Sequence, residues 1–312
     1  MISARTPSSP SRSSPTPAAE AESITGRAYL SWTQVASYQQ CPRAFAFRYV
    51  EHAEPDFVPS GLLFGSAMHE AFARVHEAAM EGLPCPSTAE LASKVSNLLD
   101  ASLLPVRYSK GETPESLHAL GQRMVAAFLD APVSRPEGQP VCIEDRASGV
   151  IDSGIPPIEG KVDFVRLTKE GLVLRDYKTA RSKWSPDKVE EAAPQLRLYA
   201  TILDQQLEGW KTITGIEFVT VTKAVKPTVT LHAVPMRRES VQACIDQIGA
   251  VWDGVRKGSS HATRLALQAV SVCVTVSGGD STRRSTRCRL NSTGRSPCSA
   301  WPCGPWCTRS CA

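Results

Sequence analysis

The sequence predicts an α/β (α+β) fold, in which a helical N-terminal half precedes a central mixed sheet flanked by helices. Apolar residues recur at helical spacing up to about residue 130. From residue 141 onward, short β-rich runs bounded by turn residues take their place. A long helical segment at about 187–207 then separates the first three strands from two more. This order of elements is typical of a layered structure built on one sheet.

The helical half begins at Ser31, which is a typical N-cap, and is interrupted near Pro42. A second helix follows Gly65, and two more amphipathic helices are predicted at 88–103 and 114–130. The apolar face of the second helix consists of Met68, Phe72, Val75 and Met80.

The sheet half contains five predicted strands. A turn at Lys169-Glu170-Gly171 joins the second strand to the third and predicts a hairpin. A closing helix is expected at 237–256. The predicted strands are 141–147, 158–167, 171–177, 213–222 and 227–234.

The two ends differ in composition from residues 29–258, which we predict to form one domain. Residues 1–28 are rich in Ser, Pro, Ala and Thr and have few large apolar groups, so we expect a disordered tail. Residues 259–312 are rich in Cys, Ser and Arg and contain no Ile, Phe, Tyr, Lys or Glu. We therefore expect this second tail to be unstructured.

The Cys-rich tail has two interpretations. Either the reading frame shifts near residue 260, so that the tail is not the native sequence, or the tail is a genuine basic segment that binds metal or nucleic acid. A zinc-binding protein built on the tail cysteines is one form of the second interpretation. These cysteines are Cys273, Cys288, Cys298, Cys303, Cys307 and Cys311.

The charge distribution and hydropathy exclude several classes of protein. The whole chain carries +4, but the tail alone carries +6, which leaves residues 1–258 at −2. Whole-chain charge is therefore no argument for nucleic-acid binding. No run approaches the roughly 20 apolar residues of a membrane span, so we expect a cytoplasmic protein with no membrane partner. No Walker-type phosphate loop occurs, which argues against a motor activity of its own.

Asp163, Asp176 and Lys178 form the most specific group of polar residues. The predicted hairpin places the two carboxylates side by side, and the strand period puts Lys178 on the same face as Asp176. Two carboxylates and an ammonium suit the binding of Mg²⁺ or Mn²⁺ next to a phosphate, at a solvent-facing strand end. A solvated surface with an ordinary Asp-Lys pair is the alternative.

Three further residues are candidates for contacts to nucleic acid or to the metal ion. Gln195 and Tyr199 share one face of the long helix and suit contacts to a nucleic-acid strand or to Lys178, although a partly buried Tyr is common. His69 becomes a third metal ligand only if its helix lies over the strand ends.

Five short motifs follow one another along residues 30–257. The motifs are Leu30-Ser31-Trp32-Thr33 with Tyr38 and Cys41-Pro42-Arg43, Gly65-Ser66-Ala67-Met68-His69, Gly160-Lys161-Val162-Asp163, Asp176-Tyr177-Lys178-Thr179, and Gln195-Leu196-Arg197-Leu198-Tyr199. In order and spacing they resemble the RecB-type branch of the PD-(D/E)XK nuclease superfamily, which includes the nuclease domains of RecBCD and AddAB and the CRISPR-associated adaptation nucleases. The resemblance implies a restriction-endonuclease-like core.

The resemblance implies a role for each motif. His69, Asp163 and Asp176 would hold Mg²⁺ or Mn²⁺, together with the backbone carbonyl of Tyr177. Lys178 would position the attacking water and stabilise the charge that develops on the phosphate. Gln195 and Tyr199 would contact DNA near the active site. The candidates for a local basic DNA channel are Lys178, Lys183, Lys188 and Arg197.

The resemblance also implies a role for Cys41. In many RecB-type members, a Cys in this Cys-Pro position joins three C-terminal cysteines around a 4Fe-4S cluster. Here the tail cysteines from Cys298 to Cys311 depart from the family's spacing, and in a shifted frame they would be accidental. The alternative for Cys41 is a small buried apolar side chain.

The implied activity is metal-dependent hydrolysis of DNA phosphodiester bonds, with exonuclease action on single-stranded or unwound ends in repair or recombination. A helicase partner is plausible because the chain lacks a motor. The alternatives are a non-catalytic DNA-binding or scaffolding subunit of a helicase-nuclease complex, and a CRISPR adaptation nuclease.

Overall fold

The computed structural model describes residues 15–207 and 212–259. A π-helical turn follows α3, and a short 3-10 turn follows α6. The α-helices are α1 Pro17–Thr25, α2 Trp32–Gln40, α3 Pro42–Phe45, α4 Ser60–Met80, α5 Thr88–Asp100, α6 Pro114–Asp130, α7 Pro186–Gln206 and α8 Arg238–Ser259. The strands are β1 Val58–Pro59, β2 Val106–Arg107, β3 Gln139–Gly149, β4 Ile158–Leu167, β5 Leu172–Ala180, β6 Ile213–Thr222 and β7 Val229–Val234.

The central sheet has five strands in the order β3-β4-β5-β6-β7. Only β5 and β6 run parallel, and the other neighbours are antiparallel. A parallel pair needs a long crossover, and α7 provides it between β5 and β6. The predicted mixed sheet is therefore confirmed. The two short strands β1 and β2 form a separate parallel pair.

Apolar side chains are buried on both faces of the sheet. On one face, Ile216 and Phe218 belong to a core that includes Trp252 of α8. On the other face, Val219 and Val221 pack in a core with the apolar sides of α4, α5 and α6. The helices flank the sheet as the hydrophobic pattern predicts.

The predicted N-cap at Ser31 is confirmed. Its hydroxyl accepts a hydrogen bond from the backbone N–H of Gln34 at 3.2 Å, and the Gln34 side chain accepts one from Ser31 N–H at 2.7 Å. This reciprocal pair satisfies two backbone donors that a helix start leaves unpaired.

Helix α4 begins at Ser60, before the start predicted after Gly65. Glycine lowers helix propensity, which is why Gly65 looks like a boundary in the sequence. Phe64 and Ser60 are nevertheless buried, and Ser60 donates a hydrogen bond to Glu112 at 2.6 Å. Tertiary packing therefore extends the helix through two glycines.

The predicted disorder of residues 1–28 is wrong for the part that forms α1. Thr16 caps this helix, and Ala21 within it is fully buried. Glu20 lies 3.6 Å from Arg256 of α8. A helix of small residues is stabilised here because it docks on another helix, which composition alone does not reveal.

The rest of the predicted tails, residues 1–14 and 260–312 with all six tail cysteines, lie outside the described residues. Within the described ranges, no helix is both long and apolar enough to cross a bilayer.

Candidate active site

The hairpin of β4 and β5 brings the two predicted carboxylates together. Phe164 pairs with Arg175, so the next positions along the ladder, Asp163 and Asp176, lie across from each other. The exposed fraction is 9% for Asp163 and 6% for Asp176. The predicted solvent-facing position is therefore wrong for Asp176, which lies on a strand that both α4 and α7 contact.

His69 reaches these two carboxylates from α4, which packs against β3, β4 and β5. Its Nδ1 lies 3.3 Å from Asp163 Oδ2, an oxygen that also accepts a hydrogen bond from Tyr177 N–H at 2.8 Å. Burial alone would lower the pKa of His69, but Asp163 raises it above its usual range. Burial would raise the pKa of Asp163, but His69 and Lys178 hold it below its usual range. Asp163 is thus held ionised in a buried position.

Asp176 and Lys178 form a pair on the same strand. Lys178 Nζ donates to Asp176 Oδ1 at 3.1 Å and lies 2.8 Å from Oδ2. The second contact lacks hydrogen-bond geometry, so Oδ2 is a buried oxygen without a hydrogen-bond partner. Burial raises the pKa of Asp176 to about 6, although Lys178 opposes this shift. Burial would lower the pKa of Lys178, but Asp176 raises it, so the ammonium stays charged.

Glu144 is a site residue that the sequence pattern does not single out. It lies on β3 across from Asp163, between the pairs Ile143–Phe164 and Asp145–Val162. Its φ of 51° lies in the left-handed region, which is rare for a residue with a side chain inside a strand. Glu144 Oε1 is 3.9 Å from His69 Nδ1. In the sequence, Glu144 is simply an acidic residue in the strand before that of Asp163. Whether it lies beside Asp163 depends on how β3 and β4 are aligned.

Tyr199 packs against the backbone of Gly160, and Gln195 lies one turn earlier on α7. A Cβ at Gly160 would lie 2.2 Å from Tyr199 Cζ, so this strand position admits only glycine. Gln195 Nε2 donates to the Tyr199 hydroxyl at 3.4 Å. Tyr199 is 5% exposed, and burial raises its pKa. The structure thus brings Tyr199 beside the carboxylates as a packed side chain.

We expect Gly160→Ala to lower the free energy of unfolding by about 1–3 kcal/mol, because the new methyl group displaces the Tyr199 ring. Urea unfolding measures this loss. The matched control is Gly215→Ala on β6, where a Cβ would make ordinary contacts with Val173 at 3.4 Å and beyond. Equal stability of the two variants would contradict the expected clash. In the Tyr199→Ala background, the cost of Gly160→Ala should shrink.

The candidates for the basic channel divide into two groups. Lys183 and Lys188 are exposed, and Lys188 pairs with Glu191 at 3.0 Å. Arg197 is 1% exposed, and two of its nitrogens contact Glu190 at 2.7 and 2.9 Å. Arg197 also donates to the carbonyl of Pro235 at 3.1 Å. The prediction that Arg197 lines a DNA channel is therefore wrong, because it is buried and joins α7 to the chain after β7.

A network of buried polar side chains connects β5 to β6 and α4. Arg175 donates to Glu217 at 2.7 Å and to the Tyr177 hydroxyl at 3.2 Å. The Tyr177 oxygen also lies 2.5 Å from His76 Nε2. Burial lowers the pKa of His76 to about 3, so its ring is neutral. Arg175 and His76 thus both contact the Tyr177 hydroxyl, while the Tyr177 backbone N–H contacts Asp163.

Cys41 lies between α2 and α3 and is half-buried. Among the described residues it belongs to no group of metal-ligating side chains. The predicted 4Fe-4S cluster is not supported, and its proposed partners in the tail lie outside the described residues.

The site residues fit a divalent cation. Ligand atoms of His69, Glu144 and Asp163 all lie within 4.8 Å of one another. Asp176 adds a buried carboxylate whose Oδ2 makes no hydrogen bond and lies 2.8 Å from the Lys178 ammonium, so this oxygen already contacts one cationic group. Carboxylate oxygens with one imidazole nitrogen are ligands that Mg²⁺ and Mn²⁺ accept in proteins.

Comparisons with known proteins give a family and two structural likenesses. The sequence model of the PD-(D/E)XK nuclease superfamily matches residues 29–273. A crystal structure of a candidate exonuclease from Eubacterium rectale is 16% identical, covering 77% of this chain and 84% of that one, with a TM-score of 0.49. A protein named SSO0001 is 11% identical, covering 64% and 79%, with a TM-score of 0.28. Among curated proteins, none matches this chain.

The family match spans most of the chain, including every element of the five-stranded sheet. The mixed sheet with helices on both faces agrees with the core of that family. Asp163, Asp176 and Lys178 lie within the matched residues, on the neighbouring interior strands β4 and β5. On these grounds the chain belongs to the PD-(D/E)XK nuclease superfamily.

Proposed function

We propose that the protein is a metal-dependent deoxyribonuclease of the RecB-type branch, which hydrolyses DNA phosphodiester bonds as an exonuclease in repair or recombination. One observation carries this proposal. Asp163, Asp176, Lys178 and His69 lie close together over the interior strands β4 and β5 in a chain that belongs to a nuclease superfamily.

The residues that would hold Mg²⁺ or Mn²⁺ are His69, Asp163 and Asp176, with the backbone carbonyl of Tyr177. A divalent cation, when bound, polarises the phosphate and lowers the pKa of a bound water from about 15.7 toward neutrality. The hydrogen bond from Tyr177 N–H fixes one oxygen of Asp163. The network behind Tyr177 holds that strand in place, so the ligand positions are set before substrate arrives.

Lys178 supplies the positive charge on the substrate side. Asp176 keeps its ammonium protonated and oriented, since the two side chains are paired and largely buried. A charged donor in such a site can orient the attacking water and stabilise the negative charge that grows on the phosphate oxygens.

DNA contacts are proposed for Gln195 and Tyr199 and for the exposed Lys183 and Lys188. The half-buried Gln195 is the more accessible of the first two, because Tyr199 is packed on Gly160. Lys183 follows β5 directly and lies on the connection to α7, so it is well placed to contact a backbone phosphate.

The branch assignment is supported by the five motifs in order, which include the Gln195-to-Tyr199 spacing. A helicase partner belongs to the same proposal, because no Walker-type loop occurs in the sequence. A role in CRISPR adaptation would use the same site.

Cleavage of end-labelled DNA tests the proposal. Purified protein is incubated with linear single-stranded, linear double-stranded and circular single-stranded DNA in Mn²⁺, Mg²⁺ or EDTA. We expect cutting with either cation, none in EDTA, and resistance of the circular strand because it has no end. Cutting of the circle would contradict exonuclease action. Binding without any cutting would instead support a non-catalytic DNA-binding subunit.

A further inference from the structure

Glu144 has two oxygens in different surroundings. Oε1 lies on the site side, 3.9 Å from His69 Nδ1. Oε2 contacts the ammonium of Lys161, a residue of β4 two positions before Asp163. The side chain of Glu144 is 15% exposed, while that of Lys161 is 55% exposed. The Glu144 carboxylate therefore contacts the buried site with one oxygen and the exposed ammonium of Lys161 with the other.

We propose that Glu144 is a further ligand of the cation that His69 and Asp163 bind, and that Lys161 is the counterion that this carboxylate keeps until the cation arrives. The inference rests on the metal dependence in the proposed function. It adds a ligand that none of the five sequence motifs contains, and it assigns a role to the lysine of the Gly160-to-Asp163 motif.

The distances support a shared cation. Atoms of His69, Glu144 and Asp163 all lie within 4.8 Å of one another, which is the spacing of ligands around one ion. Asp176 is a further acidic group beside these three residues. It is 6% exposed and lies across from Asp163, and its Oδ2 makes no hydrogen bond, although it lies 2.8 Å from the Lys178 ammonium.

Charge balance explains the role of Lys161. Glu144, Asp163 and Asp176 supply three negative charges, and Lys161 and Lys178 supply two positive charges. A divalent cation adds two more, so one ammonium becomes surplus. Lys161 is the more exposed of the two and can extend into water without uncovering a buried charge.

A simple cross-strand ion pair does not account for this geometry. The residue that pairs directly with Lys161 on β3 is Arg146, and Glu144 is its diagonal neighbour. A surface pair would place both partners outward. Glu144 instead keeps one oxygen close to His69, which an outward pair would not require.

Mn²⁺ binding to the full chain, without DNA, tests the inference. Electron paramagnetic resonance of free Mn²⁺ and titration calorimetry give the dissociation constant for the wild type and for three variants. We expect Glu144→Gln to weaken Mn²⁺ binding about tenfold or more, because a carboxylate of the metal site is lost. The matched control is Asp145→Asn, because Asp145 is the next residue and is exposed. It should change the constant less than twofold, and Asp163→Asn should abolish binding.

A double-mutant cycle tests the role assigned to Lys161. Lys161→Gln should tighten Mn²⁺ binding several-fold, because the cation no longer competes with the ammonium for Glu144. The gain should shrink in the Glu144→Gln background. An equal gain in both backgrounds would show that Lys161 acts only by general charge repulsion and would overturn its assigned role.

The outcomes separate the two proposals. Wild-type protein that binds no Mn²⁺ would overturn both metal dependence and this inference. Loss of binding in Asp163→Asn with wild-type binding in Glu144→Gln would overturn the inference alone. If Glu144→Gln does not fold by circular dichroism, Glu144→Gly replaces it, since glycine adopts the positive φ of this position without strain.

Discussion

Replacing Lys178 with alanine is expected to reduce DNA cleavage about 10³-fold or more, because it removes a charged donor from the place where negative charge develops. The fold should survive, since the Lys178 side chain is partly exposed. Its partner Asp176 can take up a proton once the Lys178 ammonium has been removed. The rate of cleavage of end-labelled DNA in Mn²⁺ measures the loss. The far-ultraviolet circular dichroism and melting temperature show whether the variant is folded.

Lys94→Ala is the matched control for this change. Lys94 is a partly exposed lysine on α5 that lies 3.8 Å from Glu70, and surface pairs of this kind contribute little. Its cleavage rate should stay within about twofold of the wild type. A folded Lys178→Ala protein that retains a tenth of the wild-type rate would show that Lys178 does not take part in the chemistry.

Replacing Arg175 with methionine is expected to lower the free energy of unfolding by about 3–5 kcal/mol. Arg175 is 1% exposed and donates to Glu217, which is itself 7% exposed. It also donates to the carbonyl of Val133 at 2.6 Å. Its removal leaves the buried Glu217 carboxylate with Arg166, at 3.2 Å, as its one charged partner among the described residues. Urea unfolding followed by circular dichroism measures the effect.

The control for Arg175 is an arginine whose ion pair is exposed. Arg146 is 77% exposed and pairs with Glu159 at 3.0 Å, so Arg146→Met should cost at most about 1 kcal/mol. Glu217→Gln should recover part of the loss when it is combined with Arg175→Met, because the uncompensated charge is then absent. A loss below about 1 kcal/mol for Arg175→Met would mean that this network does not stabilise β5.

The boundaries of several elements follow from local sequence. The strands predicted at 158–167 and 213–222 are observed with those limits as β4 and β6. Turn residues bound β4 at both ends, and β-branched residues favour strands in both. Helix α6 likewise occupies the predicted 114–130, after an N-cap at Thr113. These limits depend on neighbouring residues, so a single sequence contains enough information for them.

The candidate site also contains some residues that local sequence brings together and others that it does not. Asp163, Asp176 and Lys178 are close because one short hairpin joins their strands, and a hairpin is a local contact. His69 and Tyr199 are distant in sequence, and only the resemblance of five motifs connects them to the hairpin. The structure brings both beside the carboxylates, although Tyr199 is more deeply buried than a DNA contact requires.

The sequence by itself determined the class of fold, the order of the five sheet strands and the local group around Asp176, because each depends on periodicity or on a short hairpin. Only the tertiary structure decided that Arg197 is buried, that α1 is ordered, and that Glu144 belongs to the site. Burial and register join residues that are far apart in the chain. A charged residue looks the same in sequence whether it faces solvent, a buried partner or a metal site.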